Sequence, residues 1–357
     1  MGIKGFSKIF IPKTIKQKDL KNLTGAFDAS VILFQCCLGM PSVNGLTDAS
    51  GNPTLHINVI ISRVINFIKN STGQVWVFDF HDHLYSSPDK ELELAKRRNR
   101  RADAKKKLEA LQNTKKEKNT KNNLFTDSDN DDNDDDEDAD NTEDAESIKK
   151  KINQQEKIIF SINEQIINDC KFILNCFDIT WCVAPKDIEA EAVCAALTTT
   201  DELNFECDFV YSTDVDSLLY GAKQLVRSVK ANNKKVLQIY NLDTILTTNN
   251  IDIDDLIKIG IILGSDHAPK TQSIGPKTVL RKFKTITLSE VQEKAVKIFK
   301  PSSVLLDISS IKFHNEFDAV EPATNIKKLN QLLDWLELKN FNRERIRQQI
   351  IKVNPNI

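Results

Sequence analysis

The sequence predicts an α/β fold built on a doubly wound parallel sheet with helices on both faces. Short apolar runs rich in β-branched and aromatic residues alternate with longer helical patterns. Three of the runs, at residues 25–28, 75–79 and 209–214, end in an aspartate. Continuous apolar runs of this length are typical of strands buried on both faces of a parallel sheet.

Two more strands are predicted at residues 179–183 and 236–240. Beyond residue 280 the pattern weakens, and helices are expected only at 325–339 and 343–353. Helical periodicity predicts the remaining helices at 55–69, 90–111, 148–177, 189–199, 215–229 and 254–263.

The chain of 357 residues is 40% hydrophobic, which suits one large α/β domain or two smaller ones. No stretch approaches the roughly 20 apolar residues that span a bilayer, and the N-terminus lacks a secretory apolar segment. We therefore expect a soluble, intracellular protein with no membrane partner. Seven cysteines with no C-x-x-C pair suit reduced thiols in the core, and no zinc site is expected.

The net charge of -2 conceals a strong asymmetry. Residues 127–146 carry 13 acidic side chains and no Lys or Arg, so the rest of the chain has 49 basic against 38 acidic residues. A body this basic indicates a polyanionic partner. Residues 112–147 are too polar for a core and are expected to form a disordered, acidic insertion.

Acidic residues at strand ends give the first indication of function. Ligands of open α/β sheets bind at the carboxyl ends of the strands, so Asp28, Asp79 and Asp214 should converge on one crevice. Asp28 could instead only cap the following helix. If 213–216 is extended, Asp214 and Asp216 project to the same side.

Glu189 and Glu191 form a second acidic pair. Because residues two apart on a helix do not face each other, at least one should lie in the first turn or in the loop before it. Like charges this close are costly unless a cation neutralises them. Acids in this number suit two Mg²⁺ ions and phosphodiester hydrolysis.

Short blocks distributed from the N-terminus to about residue 285 resemble the flap endonuclease and XPG nucleases, and they occur in the family's order. These blocks are residues 1–5, 27–30, 77–79, 93–98, 189–197, 214–216, 263–266 and 273–277.

The resemblance implies a PIN-like α/β nuclease core, a helical arch and a helix-two-turn-helix element. It also implies two Mg²⁺ ions and cleavage near the junction of duplex DNA with a 5′ single-stranded flap. Residues 1–111 would hold the start of the arch, 148–285 the internal nuclease region and 286–357 a C-terminal helical extension. The positions matching the family's metal-site acids are Asp28, Asp79, Glu189, Glu191, Asp214, Asp216 and Asp266.

Lys90 and Arg97 match the family's catalytic basic residues at the base of the arch, and a spacing of seven puts them on one helix face. Residues 90–121 hold 13 basic against five acidic side chains, which suits contact with a phosphodiester strand. Gly2 corresponds to the N-terminal region near the family's active site. Phe34 matches an aromatic that stacks on DNA in relatives, although an aromatic six residues after a strand is more often a core residue.

The turn at Gly275 and Lys277 matches the family's duplex-binding element, whose backbone also coordinates K⁺. Backbone N–H groups at such a turn can hold a phosphate without reading sequence. Here Ser273 replaces the first glycine of the family's motif. Two further departures are His81 and His83, where relatives carry a Gly- and Pro-containing turn. We expect a surface loop there.

An alternative registration would pair Asp187 with Glu189, and we prefer Glu189 with Glu191 because the residues that follow then align. No sliding-clamp motif is recognisable at 352–357, and a monomer in the nucleus, or in the host nucleus for a viral member, is expected. The predicted activity is structure-specific endonuclease or 5′-exonuclease action in replication, repair or recombination. The alternatives are a catalytically weak DNA-binding scaffold and a small-molecule Mg²⁺-dependent phosphohydrolase.

Overall fold

The computed structural model divides the chain into two compact units, one of residues 1–36, 47–86 and 162–357 and the other of 37–46 and 87–161. The residues that the structure describes are 3–38, 54–80, 95–96, 98–113, 147–148, 150–152, 154–155, 158–159, 162–231, 234–300, 307–315 and 325–352.

An eight-stranded mixed sheet forms the centre of the first unit, with strand order β1-β7-β6-β5-β2-β3-β4-β8. The run from β6 to β4 is parallel, as predicted. Antiparallel pairing of β7 with β6 and of β8 with β4 flanks it on both sides, which the sequence analysis did not predict. The strands are β1 Lys13–Ile15, β2 Thr24–Asp28, β3 Gly73–Phe78, β4 Thr180–Val183, β5 Phe209–Tyr211, β6 Gln224–Ala231, β7 Lys234–Asn241 and β8 Phe313–His314.

Helices cover the sheet and extend beyond it toward the C-terminus. Single 3₁₀ turns occur at Phe6–Lys8, Gln17–Leu20, Phe283–Thr285 and Ile308–Ser310. The α-helices are α1 Ala29–Leu38, α2 Leu55–Lys69, α3 Glu164–Cys176, α4 Ala190–Ala196, α5 Asp216–Leu219, α6 Leu242–Asn249, α7 Ile253–Leu263, α8 Pro276–Lys282, α9 Glu290–Ile298, α10 Ile326–Leu338 and α11 Arg343–Ile351.

Both faces of the central strands are buried, which explains their continuous apolar sequences. On one face Phe27 stacks between Trp76 and Tyr211, with ring centroids 5.6 and 5.1 Å apart, and Phe67 of α2 meets it edge-on at 4.8 Å. The opposite face joins the buried residues of α4, α5 and α7 in one core. Packing on both faces therefore fixes the positions of the residues that follow the ends of the strands.

The prediction of a helix over residues 215–229 was wrong. Helix α5 ends at Leu219, and Gly221 follows with a φ of +90°, a conformation that stops the helix. Strand β6 then begins at Gln224. The reason is visible in Val226 and Val229, whose branched side chains suit a sheet better than a helix.

The predicted helix at 148–177 is interrupted rather than continuous. Asn163 is extended, and its side chain accepts a hydrogen bond from the Ile166 N–H, so a new helix starts at Glu164. The predictions for 55–69, 254–263, 325–339 and 343–353 are confirmed to within two residues.

The second unit is helical over residues 98–113 and in parts of 147–159, where Ala104 and Ile152 are buried. Across the part of the chain that the structure describes, no helix combines the length and the apolarity needed to cross a membrane.

Candidate active site

Neighbouring parallel strands bring the predicted acids to one edge of the sheet, as expected. Asp28 is the last residue of β2, and Asp79 directly follows β3. The segment after β5 carries Asp214 and Asp216, and the segment after β4 leads to Glu189 and Glu191. Since β5, β2, β3 and β4 are consecutive in the sheet, the four segments emerge side by side.

Asp28 is buried at the centre of this group and has two roles. Its Oδ1 accepts a hydrogen bond from the Val31 N–H at 3.1 Å, so the interpretation as a cap of α1 is confirmed. Its Oδ2 accepts from the Ser212 hydroxyl at 3.4 Å. Burial, together with the charges of Asp79 and Asp214, raises the pKa of Asp28 to about 8.

The segment from Asp214 to Asp216 is not extended, contrary to the prediction. Val215 has helical backbone angles, and Asp216 begins α5. The Asp216 backbone N–H donates to Asp214 Oδ1 at 3.2 Å, and the two carboxyls still adjoin, since the pKa of each responds to the other side chain. Burial is the main cause that raises the pKa of both groups, and the charge of Asp214 adds to it for Asp216.

Glu189 and Glu191 lie where the sequence analysis placed them. Glu189 is the extended N-cap residue of α4 and Glu191 is in the first turn. Asp79 Oδ1 accepts the Ala190 N–H at 3.0 Å, which joins this helix start to β3. Burial and the charges of Asp214, Asp28, Asp216 and Glu189 raise the pKa of Glu191 well above its usual value.

Asp266 and Asp187 differ in their relation to this cluster. Asp266 is exposed in the turn after α7, yet its charge contributes to the raised pKa of Asp214 and of Asp216. Asp187 is also exposed, in a turn with a φ of +66°. The pKa of Glu191 responds to the charges of Glu189, Asp28, Asp214 and Asp216, which places Glu191 among these acids.

The donor set fits a divalent cation in its chemistry. Asp216 Oδ1 is buried without a hydrogen-bond partner, and an isolated buried carboxylate oxygen is costly unless a cation or a donor reaches it. Carboxylate oxygens are the ligands that Mg²⁺ prefers. Within the described residues, no three His, Cys, Asp or Glu side chains are arranged as a finished ligand cluster.

The predicted DNA-contacting residues are only partly within the described chain. Gly275 is the N-cap of α8, and Lys277 is exposed in its first turn. Ser273 has a φ of +61°, the left-handed conformation that the glycine at this position of the motif would adopt without strain. Phe34 is half-buried on α1. The predicted residues outside the described part of the chain are Gly2, His81, His83, Lys90 and Arg97.

Two residues that contact the acids were missed by the sequence analysis. The Tyr220 hydroxyl donates to Glu189 Oε2 at 3.1 Å, and His267 Nε2 lies 3.2 Å from the same oxygen. His267 directly follows Asp266, and this adjacency was the signal available in the sequence. Tyr220 had no such signal, because only the turn after α5 brings it to Glu189.

The cysteines within the described chain behave as predicted. Cys170, Cys176, Cys182, Cys194 and Cys207 are buried and free of disulfides. Burial raises the pKa of the Cys182 thiol to about 12, so at neutral pH it stays protonated and packs as a small apolar side chain.

Fold and site together define a class of protein, an α/β protein with a group of carboxylates at the carboxyl ends of a mostly parallel sheet. Residues 1–104 match the model of the XPG N-terminal domain and residues 178–266 match that of the XPG I-region, together more than half of the chain. The chain belongs to the flap endonuclease/XPG family.

Similar sequences cover nearly the whole chain. Flap endonuclease 1 of Methanococcus aeolicus is 28% identical over 357 residues, spanning 99% of this chain and 95% of the relative. Human flap endonuclease 1 is 27% identical over 298 residues, spanning 80% of this chain and 67% of the relative.

Solved structures share the fold. The flap endonuclease-1 of Methanococcus jannaschii superposes with a TM-score of 0.59 at 19% identity, covering 99% of this chain and 98% of that one. The catalytic core of Rad2 in complex with DNA substrate gives a TM-score of 0.58 at 17% identity, with 99% and 100% covered. The predicted PIN-like fold class is thereby confirmed.

Proposed function

We propose that this protein is a Mg²⁺-dependent, structure-specific nuclease that hydrolyses phosphodiesters at 5′ flaps or related branched DNA. The observation that carries the proposal is the grouping of six acids after the ends of four neighbouring strands, with the pKa values of four of them raised by burial and by neighbouring charges. Such a group is costly in a metal-free protein and suits the binding of cations.

The acids divide into those that hold position and those that are available as ligands. Asp28 and Asp79 accept backbone N–H groups at the starts of α1 and α4, which fixes their carboxylates. Asp216 and Glu191 would present buried oxygens to the ions, with Asp214, Glu189 and Asp266 beside them. When bound, two Mg²⁺ ions would supply activation of water and neutralise charge that develops on the scissile phosphate.

Contacts to DNA are proposed for the turn before α8 and for residues nearer the N-terminus. Lys277 is exposed, and a side chain built at Gly275 would meet nothing within 4 Å, so the turn is open to a duplex backbone and to K⁺. Lys90 and Arg97 would hold the scissile phosphate, Gly2 would lie near it and Phe34 would stack on a base. Relatives include structures described as DNA complexes. We further propose action as a monomer in the nucleus, in replication, repair or recombination.

The experiment compares four labelled substrates: 5′ flap, blunt duplex, Holliday junction and single-stranded DNA, each with Mg²⁺ or with EDTA. Cleavage near the flap junction is expected with Mg²⁺ alone, and it should be lost in Asp79→Ala and Asp214→Ala. Asp201→Ala, at an exposed aspartate outside the acid group, is the matched control and should cut normally.

Each alternative has its own outcome. DNA binding without cleavage would indicate a scaffold of the same fold. Hydrolysis of small phosphate esters with no action on DNA would indicate a small-molecule phosphohydrolase. Either result overturns the proposed nuclease activity, whereas preference for the Holliday junction would keep the activity and change only its substrate.

A further inference from the structure

One oxygen of Glu189 has two side-chain neighbours from distant parts of the chain. The Tyr220 hydroxyl donates to Oε2 at 3.1 Å, and the His267 ring nitrogen Nε2 lies 3.2 Å from the same atom. An ionised carboxylate only accepts hydrogen bonds, so His267 Nε2 is the donor of this contact when Glu189 is ionised. The His267 side chain is 13% exposed and that of Glu189 is 26% exposed, so water competes weakly for these bonds.

The rings of Tyr220 and His267 both pack against Phe299. The Tyr220 ring packs on Phe299 with centroids 4.9 Å apart, and the His267 ring meets Phe299 nearly edge-on at 5.3 Å. Phe299 itself is buried. The His267 N–H also donates to Ser265 Oγ at 3.3 Å. Tyr220 and His267 are thus held in place by contacts that do not involve Glu189.

The Glu189 carboxylate is not oriented by helix capping. Glu189 is the N-cap residue of α4, but its side chain makes no capping hydrogen bond there. Asp79 accepts the Ala190 N–H at the same helix start. The side chains that contact Glu189 Oε2 come from the segment after α5 and the turn after α7.

We propose that Tyr220 and His267 are positioning residues that orient the Glu189 carboxylate for metal binding, an inference that rests on the proposed function. Two donors on one oxygen restrict the rotation of the Glu189 side chain, whose charge is close enough to Asp216 to help raise the pKa of that carboxyl. Partners of this kind contribute about 10-fold to 100-fold in metal affinity. Neither residue touches the substrate in this role.

The test measures metal binding without DNA. Mn²⁺ affinity of the full chain is followed by calorimetry and by electron paramagnetic resonance in wild type, Tyr220→Phe, His267→Phe and His267→Gln. The two Phe variants keep a ring against Phe299 and remove only the donor. His267→Gln keeps an N–H close to the position of Nε2, so it serves as the conservative rescue.

The expected result is about 10-fold weaker Mn²⁺ binding in each Phe variant and near-normal binding in His267→Gln. In the nuclease assay the Phe variants should need more Mg²⁺ to reach the wild-type kcat, with an unchanged KM for DNA. Equal Mn²⁺ affinity in all four proteins, or a loss in His267→Gln as large as in His267→Phe, overturns the inference. A wild type that binds no Mn²⁺ overturns it too.

Failure of the proposed function gives a different pattern. If wild type binds Mn²⁺ but cuts no DNA, the nuclease proposal fails while the ratio of affinities still decides the roles of Tyr220 and His267. If wild type cuts DNA and every variant binds Mn²⁺ as tightly as wild type, the nuclease proposal stands and the positioning role is rejected.

Discussion

Asp28 combines a structural and a chemical role in one carboxylate. Its Oδ1 accepts the Val31 N–H, while its charge lies with those of Asp79 and Asp214. The cap favours the ionised form, but burial outweighs it, and the pKa rises to about 8. A group with a folded-state pKa above its unfolded value stabilises the protein at low pH and loses that contribution as the pH rises.

We therefore expect the metal-free protein to lose stability as the pH rises from about 4 to about 8, by an amount on the order of a few kcal/mol from Asp28. Asp28→Asn keeps the acceptor for Val31 and removes the titration, so its stability should fall less over that range. Urea unfolding in EDTA at several pH values measures both proteins. Parallel pH curves for the two would contradict the assignment to Asp28.

Single residues of the site were predictable where a strand end determines their place. Asp28, Asp79 and Asp214 follow apolar runs, and parallel strands bring such ends together. Tyr220 was not predictable, because its contact with Glu189 depends on where the turn after α5 leads. The extended path assumed for Asp214 to Asp216 was wrong because α5 begins one residue after Val215.

At the scale of elements, the N-terminal 3₁₀ turn packs directly on the start of α8. Gly5 has a φ of +82°, and a Cβ built on it would lie 2.2 Å from Pro276 Cγ. Gly221 has a similar φ of +90°, but a Cβ there would meet nothing within 4 Å. Substituting each glycine by alanine therefore separates two costs in the free energy of unfolding. Both substitutions include the cost of a positive φ, and only the one at Gly5 adds a steric contact with Pro276.

Gly221→Ala should lower the free energy of unfolding by about 1–2 kcal/mol, the cost of a left-handed conformation. Gly5→Ala should lower it further, by about 1–3 kcal/mol for the overpacked contact with Pro276. Urea denaturation of the two variants gives the comparison. Equal losses would mean that the turn moves away from Pro276 without cost.

The turn before α8 holds a non-glycine residue in a left-handed backbone conformation. Ser273 has a φ of +61°, so Ser273→Gly should raise the free energy of unfolding by about 0.5–1 kcal/mol. Gln272→Gly, at the exposed neighbour, is the matched control, and it should lower stability because it only adds freedom to the unfolded chain. Thermal unfolding of both proteins checks this. A loss in Ser273→Gly would show that the serine side chain stabilises the turn.

Elements were predictable where one pattern dominates and less so where two compete. Helix α7 has buried residues at helical spacing from Leu256 to Leu263 and was located within one residue. Strand β6 was taken for a helix because the apolar residues from Leu218 to Val229 also match a helical period. The antiparallel edge strands β1 and β8 have three and two residues, too short for any period to show.

At the scale of the whole molecule, one short segment is strongly acidic and the rest of the chain is basic. Residues 127–146 hold 13 acids, whereas the rest of the chain has an excess of 11 basic side chains. An acidic tract in a basic protein competes with DNA for the same cations. The competition is electrostatic and weakens as salt screens it.

Deleting residues 122–147 should therefore tighten DNA binding at about 50 mM salt, with a smaller effect at about 200 mM. Replacing the segment by a neutral Gly-Ser linker of equal length is the control, and it should reproduce the deletion if charge is the cause. Fluorescence anisotropy in EDTA measures both variants. Unchanged affinity at low salt would count against competition by the tract.

The position of β2 also determines when the central sheet can be completed during synthesis of the chain. Strand β2 leaves the ribosome early, yet Gly25 pairs both with Gln74 of β3 and with Phe209 of β5. Until β5 has been translated, one side of the central strand has no partner, and the acids that follow β5 do not yet exist. Because Asp266 comes later still, a nascent chain cannot assemble the acid group, and a truncated product would lack it as well.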